Sequence, residues 1–149
     1  MTTRHKTIRV LICNRYTLFR DGIKALLPGG TPIEIVGEAG TARQAINQTG
    51  RLRPDVVLMD LAISDLRPSE ATRRIIAAHP DVKVLILSLH DDQAMVSHCL
   101  EAGAAGYIRN TDCGFQLQSA IDTVCKSGDH RSRRTAPVQQ RANAWPAGA

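Results

Sequence analysis

The chain has 149 residues, of which 43% are hydrophobic and 22% charged, with a formal net charge of +5. A chain of this size buries roughly two thirds of the surface its unfolded form exposes, enough for one independently folding domain with no disulfide or metal staple. Cys13, Cys99, Cys113 and Cys125 form no CxxC pair, no signal-peptide pattern opens the chain, and no apolar run approaches the roughly 18 residues of a membrane span. These features exclude a secreted disulfide scaffold and a membrane partner, and they imply reduced thiols in the cytoplasm.

The positive charge lies at the ends. Residues 1–9 hold Arg4, Lys6 and Arg9, residues 127–149 hold four arginines against Asp129, and the stretch between is left with a net charge of −1. Aromatic residues are not interleaved with these charges apart from Trp145. Such ends read as solvated extensions before they read as nucleic-acid arms.

After a basic N-terminal segment over 1–7, the β-branched run Ile8–Ile12 predicts a first strand. Phe19, Gly22, Ile23, Leu26 and Leu27 then recur at helical spacing, closed by Pro28-Gly29-Gly30. A second strand is predicted at Ile33–Val36, followed by a short helix over Thr41–Gln48 with Ala42, Ala45 and Ile46 inward. Pro54 precedes a third strand at Val56–Met59, and Ala71, Ile75 and Ala78 mark the helix after it. Pro80 precedes a fourth strand at Val82–Leu87. Asp92 is placed to cap a helix whose apolar stripe is Val96, Cys99, Leu100 and Gly103. A short fifth strand at Tyr107-Ile108 leads to a last helix with Leu117, Ala120, Ile121, Val124 and Cys125 inward, and the pattern stops at Lys126. Residues 127–149, with Pro137, Pro146, Gly148 and scattered arginines, have no periodicity and predict a basic, disordered tail. Near-continuous apolar strands alternating with helices predict a doubly wound α/β domain, a parallel sheet with right-handed crossovers and helices on both faces.

Asp60 ends the run Val56-Val57-Leu58-Met59 and so places a carboxylate at the carboxyl end of a buried strand, where open α/β sheets bind ligands. The first strand runs instead into Cys13-Asn14-Arg15-Tyr16, with no acidic residue beside Asp60. Together with Leu18-Phe19-Arg20-Asp21-Gly22, Glu70-Ala71-Thr72-Arg73-Arg74-Ile75 and Ala102-Gly103-Ala104-Ala105-Gly106-Tyr107, these segments resemble the receiver domain of bacterial two-component response regulators, of the NarL/FixJ type, over about residues 8–126. The resemblance implies a flavodoxin-like fold with a five-stranded parallel sheet of order 2-1-3-4-5. It implies that Asp60 matches the aspartate that accepts a phosphoryl group from a histidine kinase. Ser88 matches the hydroxyl residue that moves to bond that group, and Tyr107 the aromatic that turns inward with it.

Other positions depart from the family's pattern. Where the family has two adjacent acidic residues that hold Mg²⁺, this chain has Asn14 and Arg15, and where the family has a lysine after the fifth strand it has Asn110. A magnesium site needs hard anionic oxygens, so at most weak Mg²⁺ binding is expected, with no other metal or cofactor. The loop Leu61–Pro68 also lacks the family's usual proline and glycines there. A guanidinium pairs bidentately with carboxylates, so Arg15 is expected to take the metal's place, pair with Asp60 and lower its pKa.

His90, Asp91 and Asp92 are adjacent in a turn and are not expected to converge on an ion. Cys13, beside the crevice, is the one thiol with a claim to redox responsiveness, and Cys99 and Cys125 sit on apolar helix faces. No serine or cysteine has a paired base and no G-x-G-x-x-G loop follows the first strand, so an enzyme is not expected. The expectation is an atypical, phosphorylation-impaired receiver acting through a protein partner or homodimer across the face formed by residues 93–126. A histidine kinase partner is left open. Three other readings stand: a conventional receiver phosphorylated on Asp60, nucleic-acid binding through the basic ends, and a pseudo-receiver that senses a small molecule in the vacated crevice. The 23 residues after Lys126 are too few for the family's DNA-binding domain. The expectation is therefore either a stand-alone receiver or a piece of a transcription regulator, with DNA a partner only if an output domain exists.

Overall fold

A computed structural model describes residues 7–27, 31–88, 92–109 and 114–126, with side chains of the last segment from residue 117 onward. Five strands alternate with five helices: β1 (Ile8–Cys13), α1 (Thr17–Leu26), β2 (Ile33–Ala39), α2 (Ala42–Leu52), β3 (Val56–Asp60), α3 (Pro68–Ala78), β4 (Lys83–Ser88), α4 (Gln93–Glu101), β5 (Gly106–Arg109) and α5 (Gly114–Lys126). The sheet is parallel throughout, in the order β2-β1-β3-β4-β5. This is the expected doubly wound, flavodoxin-like arrangement. Expectations for Asn110, Cys113, His90, Asp91, the Pro28-Gly29-Gly30 closure and the two basic ends fall outside the described residues.

Strand alternation divides the core in two. Leu11, Cys13, Val57, Met59, Val84, Ile86 and Tyr107 face α2, α3 and α4, where they meet Ala42, Ala45, Ala71, Ile75, Val96 and Cys99. Val10, Ile12, Val56, Leu58, Leu85, Leu87 and Ile108 face α1 and α5, against Ile23, Leu27, Leu117, Ala120, Ile121 and Val124. All five residues of β3 are buried, which is why that run lacks period-two patterning.

Three helical stripes differ from expectation, and the simplest case is α4, which ends at Glu101, so that Gly103 lies beyond the helix and is exposed. In α1 the inward positions are Phe19, Ile23 and Leu27; Gly22 is exposed and Leu26 is 42% exposed, because the helix axis turns the i, i+4, i+8 row toward the sheet. In α3, Ala78 is exposed and Thr72 is buried instead, its hydroxyl satisfied by the Pro68 carbonyl one turn back at 2.8 Å. Asp92 caps α4 as expected, accepting from the Met95 N–H at 3.1 Å. Gly103, at φ +116°, ends the turn after α4 in a conformation that side chains other than glycine's disfavour. Arg9 joins β1 to the end of α2, its guanidinium donating to the Leu52 and Arg53 carbonyls at 2.6 and 2.8 Å. These are helix-terminal carbonyls that no later turn can satisfy.

Candidate functional site

The crevice at the carboxyl ends of β1, β3 and β4 is built by three buried polar side chains, Asn14, Asp60 and Ser88, exposed by only 1%, 2% and 2%. Cys13 pairs with Met59 across β1 and β3, and Asp60 with Leu87 across β3 and β4, so Asn14, Asp60 and Ser88 follow from neighbouring register positions. Asp60 Oδ2 accepts from the Ala62 N–H at 3.2 Å, the tight turn by which the chain leaves β3.

Asn14 is held from three sides. Its N–H donates to the Ala39 carbonyl at 2.9 Å, its carbonyl accepts from Arg20 at 2.5 Å, and its side-chain Oδ1 accepts from the Tyr16 N–H at 2.8 Å. With Oδ1 committed to the backbone, the other group of the amide is Nδ2. This is a buried donor with no hydrogen-bond partner among the described residues.

Arg15 does not reach Asp60. Its side chain is exposed and its guanidinium lies over the Tyr16 ring, 5.1 Å from the centroid. The chain turns outward after β1 at the Asn14–Tyr16 bond, and a cation on an aromatic face at the surface keeps most of its hydration, which a buried pair would forfeit. The expected Arg15–Asp60 lock is therefore absent. Arg20 approaches the crevice, bound to the Asn14 carbonyl, to Thr17 Oγ1 at 3.0 Å and to Glu38 at 2.8 Å.

Cys13 is 1% exposed, with its thiol directed at the Thr41 carbonyl at 3.5 Å. Burial, then the carboxylates of Asp60 and Asp65, push its pKa up to about 12 against a smaller opposing effect of Arg20. A thiol so protonated and enclosed is a packing group, which removes the redox reading. Cys99 is core as expected, its pKa raised by burial to about 11.

Tyr107 is 7% exposed and lies in the apolar cluster between the sheet and α3–α4, so its ring is turned inward. Asp65, in the loop after β3, accepts from the Ala42 and Arg43 N–H groups at the start of α2, at 2.8 and 3.0 Å. Sequence gave no sign of that contact, which spans more than twenty positions. An open depression of about 350 Å³ near Ile8, Ile33 and Asp122 lies at the opposite ends of the strands from Asp60. No described helix is long and apolar enough to cross a membrane.

Residues 10–112 match the family described as the response regulator receiver domain. The chain is 36% identical over 121 residues to the transcriptional regulatory protein DegU of Brevibacillus brevis, covering 81% of this chain and 51% of that protein. It is 36% identical over 117 residues to the response regulator GacA of Pseudomonas viridiflava, covering 78% and 55%. The chain thus spans about half the length of the curated relatives it matches. Among solved structures it resembles a LuxR-family two-component response regulator from an Aurantimonas species (TM-score 0.77, 28% identity, 87% of this chain and 89% of that one). It also resembles the signal receiver domain of the NarL response regulator of Mycobacterium tuberculosis (TM-score 0.76, 26% identity, 81% and 98%). On the family match and these identities, the chain belongs to the response regulator receiver domain family.

Proposed function

We propose that this receiver works with little or no bound Mg²⁺ and with impaired phosphorylation on Asp60, acting in two-component signalling through protein–protein contact. The observation that carries the reading is Asn14. A divalent cation beside Asp60 would need anionic oxygens from β1, but the amide oxygen is occupied by the Tyr16 N–H and a buried N–H donor takes its place. Arg15, at the second acidic position, is exposed and adds positive charge. The donor set does not fit magnesium. Phosphoryl transfer to a carboxylate depends on cations that neutralise charge on the equatorial oxygens, so the reaction loses its main source of stabilisation.

An inward Tyr107 and a buried Ser88 support a domain held in one arrangement without phosphate. For contact we propose the face formed by residues 93–126, extended onto α1, which packs beside α5. Tyr16 and Leu18 at the head of α1 are 56% and 83% exposed, and Leu26 is 42% exposed. Apolar side chains grouped on one helix are what a partner or a second copy would cover. Part of a transcription regulator is the setting in which we place this domain, by its relatives. A Mg²⁺ titration followed by backbone amide shifts tests the site. The wild type is expected to show no saturable shift at Asn14, Asp60 and Ala62 in the millimolar range, and Asn14→Asp with Arg15→Asp is expected to gain one. Saturable shifts in the wild type would contradict the reading.

A further inference from the structure

Something other than Arg15 must fix the loop that leaves Asp60, and Asp65 is placed to do it. The loop enters the core through Leu61 and Ile63, exposed by 8% and 6%, which set its depth on the sheet. Apolar burial is non-directional and does not set how the loop lies along α2. Asp65 supplies that direction. One carboxylate oxygen accepts from the Ala42 N–H at 2.8 Å and the other from the Arg43 N–H at 3.0 Å, two of the first-turn donors of α2. The third first-turn donor, the Gln44 N–H, is taken by Thr41 Oγ1 at 3.1 Å, and the Thr41 carbonyl accepts the first regular helical bond from the Ala45 N–H at 3.0 Å. Of the three first-turn donors Ala42, Arg43 and Gln44, two are therefore held by a residue from another element. Arg43 adds a longer ion pair to the same carboxylate at 3.9 Å.

We propose that Asp65 is a positioning residue. Its carboxylate latches the loop after β3 onto the first turn of α2, and through the loop it holds the Ala62 N–H against Asp60. The crevice around Asp60 is thereby tied to α2 and kept in one arrangement. The inference deepens the proposed function and rests on it for its biological sense, although its geometry is independent of magnesium.

Residue-resolved hydrogen exchange on the whole chain tests the latch. Asp65→Asn keeps the shape of the side chain and removes its charge. It is expected to speed exchange at Ala42, Arg43 and also Ala62 by tenfold or more. Thr41→Ala, which weakens the same helix terminus without touching the loop, is expected to affect Gln44 and leave Ala62 unchanged. If Asp65→Asn loosens Ala42 and Arg43 alone, or if Thr41→Ala loosens Ala62 equally, Asp65 is only a helix cap. Should Asp65→Asn fail to fold, the wild type decides in low denaturant: Ala42, Arg43 and Ala62 must open together as one unit, and separate openings would overturn the latch. Failure of the latch leaves the magnesium titration untouched, and saturable magnesium binding with a coupled loop would overturn only the proposed function.

Discussion

Glu38, on β2, accepts from Lys24 at 2.6 Å and Arg20 at 2.8 Å, and these two bonds, Lys24's foremost, hold its carboxyl below the ordinary glutamate value. A depressed folded-state pKa stabilises the fold above the unfolded value near 4.5, and the gain is lost as pH falls through the folded value. Because the group is partly solvated, the gain is small. Glu38→Gln is expected to cost roughly 0.5–1 kcal/mol at neutral pH and little well below pH 4 in urea unfolding. An equal loss at both pH values would contradict the assignment. Asp65 follows the same sign. Partial desolvation raises its pKa, but the Ala42 and Arg43 N–H groups outweigh that and leave it lowered. At this scale the sequence was informative where a strand fixes the residue: Asn14 directly follows β1 and Asp60 ends β3, and their neighbourhood follows from the Cys13–Met59 register. Arg15 follows the strand, where no periodicity constrains direction, and its choice of Tyr16 over Asp60 was not legible.

Among elements, β1 and α2 are joined by Arg9, which closes the C-terminus of α2 through two carbonyls while its own N–H donates to Asp55 at 2.9 Å. Arg9→Ala is expected to destabilise the fold by about 1–2 kcal/mol, since hydrogen bonds to charged groups exceed neutral ones and the freed Leu52 carbonyl is partly buried, while the Arg53 carbonyl is exposed to water. The loss should appear in the denaturation midpoint, with exchange fastest in the last turn of α2. All ten elements were readable from apolar runs and their Pro and Gly punctuation, but β2 runs on to Ala39 through Gly37 and Glu38, past the expected end at Val36, and α2 runs on to Leu52, past the expected end at Gln48, because neither extension is apolar. Two other details were not readable. Phe19, Gly22, Ile23, Leu26 and Leu27 admit two overlapping stripes, and only packing against β1 and α5 selects Phe19, Ile23 and Leu27. The Asp65 cap is invisible to any local pattern because helix and cap lie on different elements.

As a whole the molecule keeps the receiver fold, and in the function proposed here Asn14 and Arg15 stand where the resemblance implies an acidic pair. What it presents instead is surface. Leu18 protrudes from α1 with 83% of its area exposed, so Leu18→Asp should change stability by no more than about 0.5 kcal/mol. The same substitution is expected to abolish self-association or partner binding measured by sedimentation; unchanged association would remove α1 from the contact face. The basic charge seen at both ends in the sequence falls largely outside the described residues. The most direct measurement is intact-mass spectrometry after incubation with acetyl phosphate, with and without Mg²⁺, beside an Asp60→Asn control. No phosphoryl gain in the wild type under either condition is the expected result. A Mg²⁺-dependent gain of one phosphoryl group, absent from the control, would contradict it and restore a conventional phosphorylated receiver.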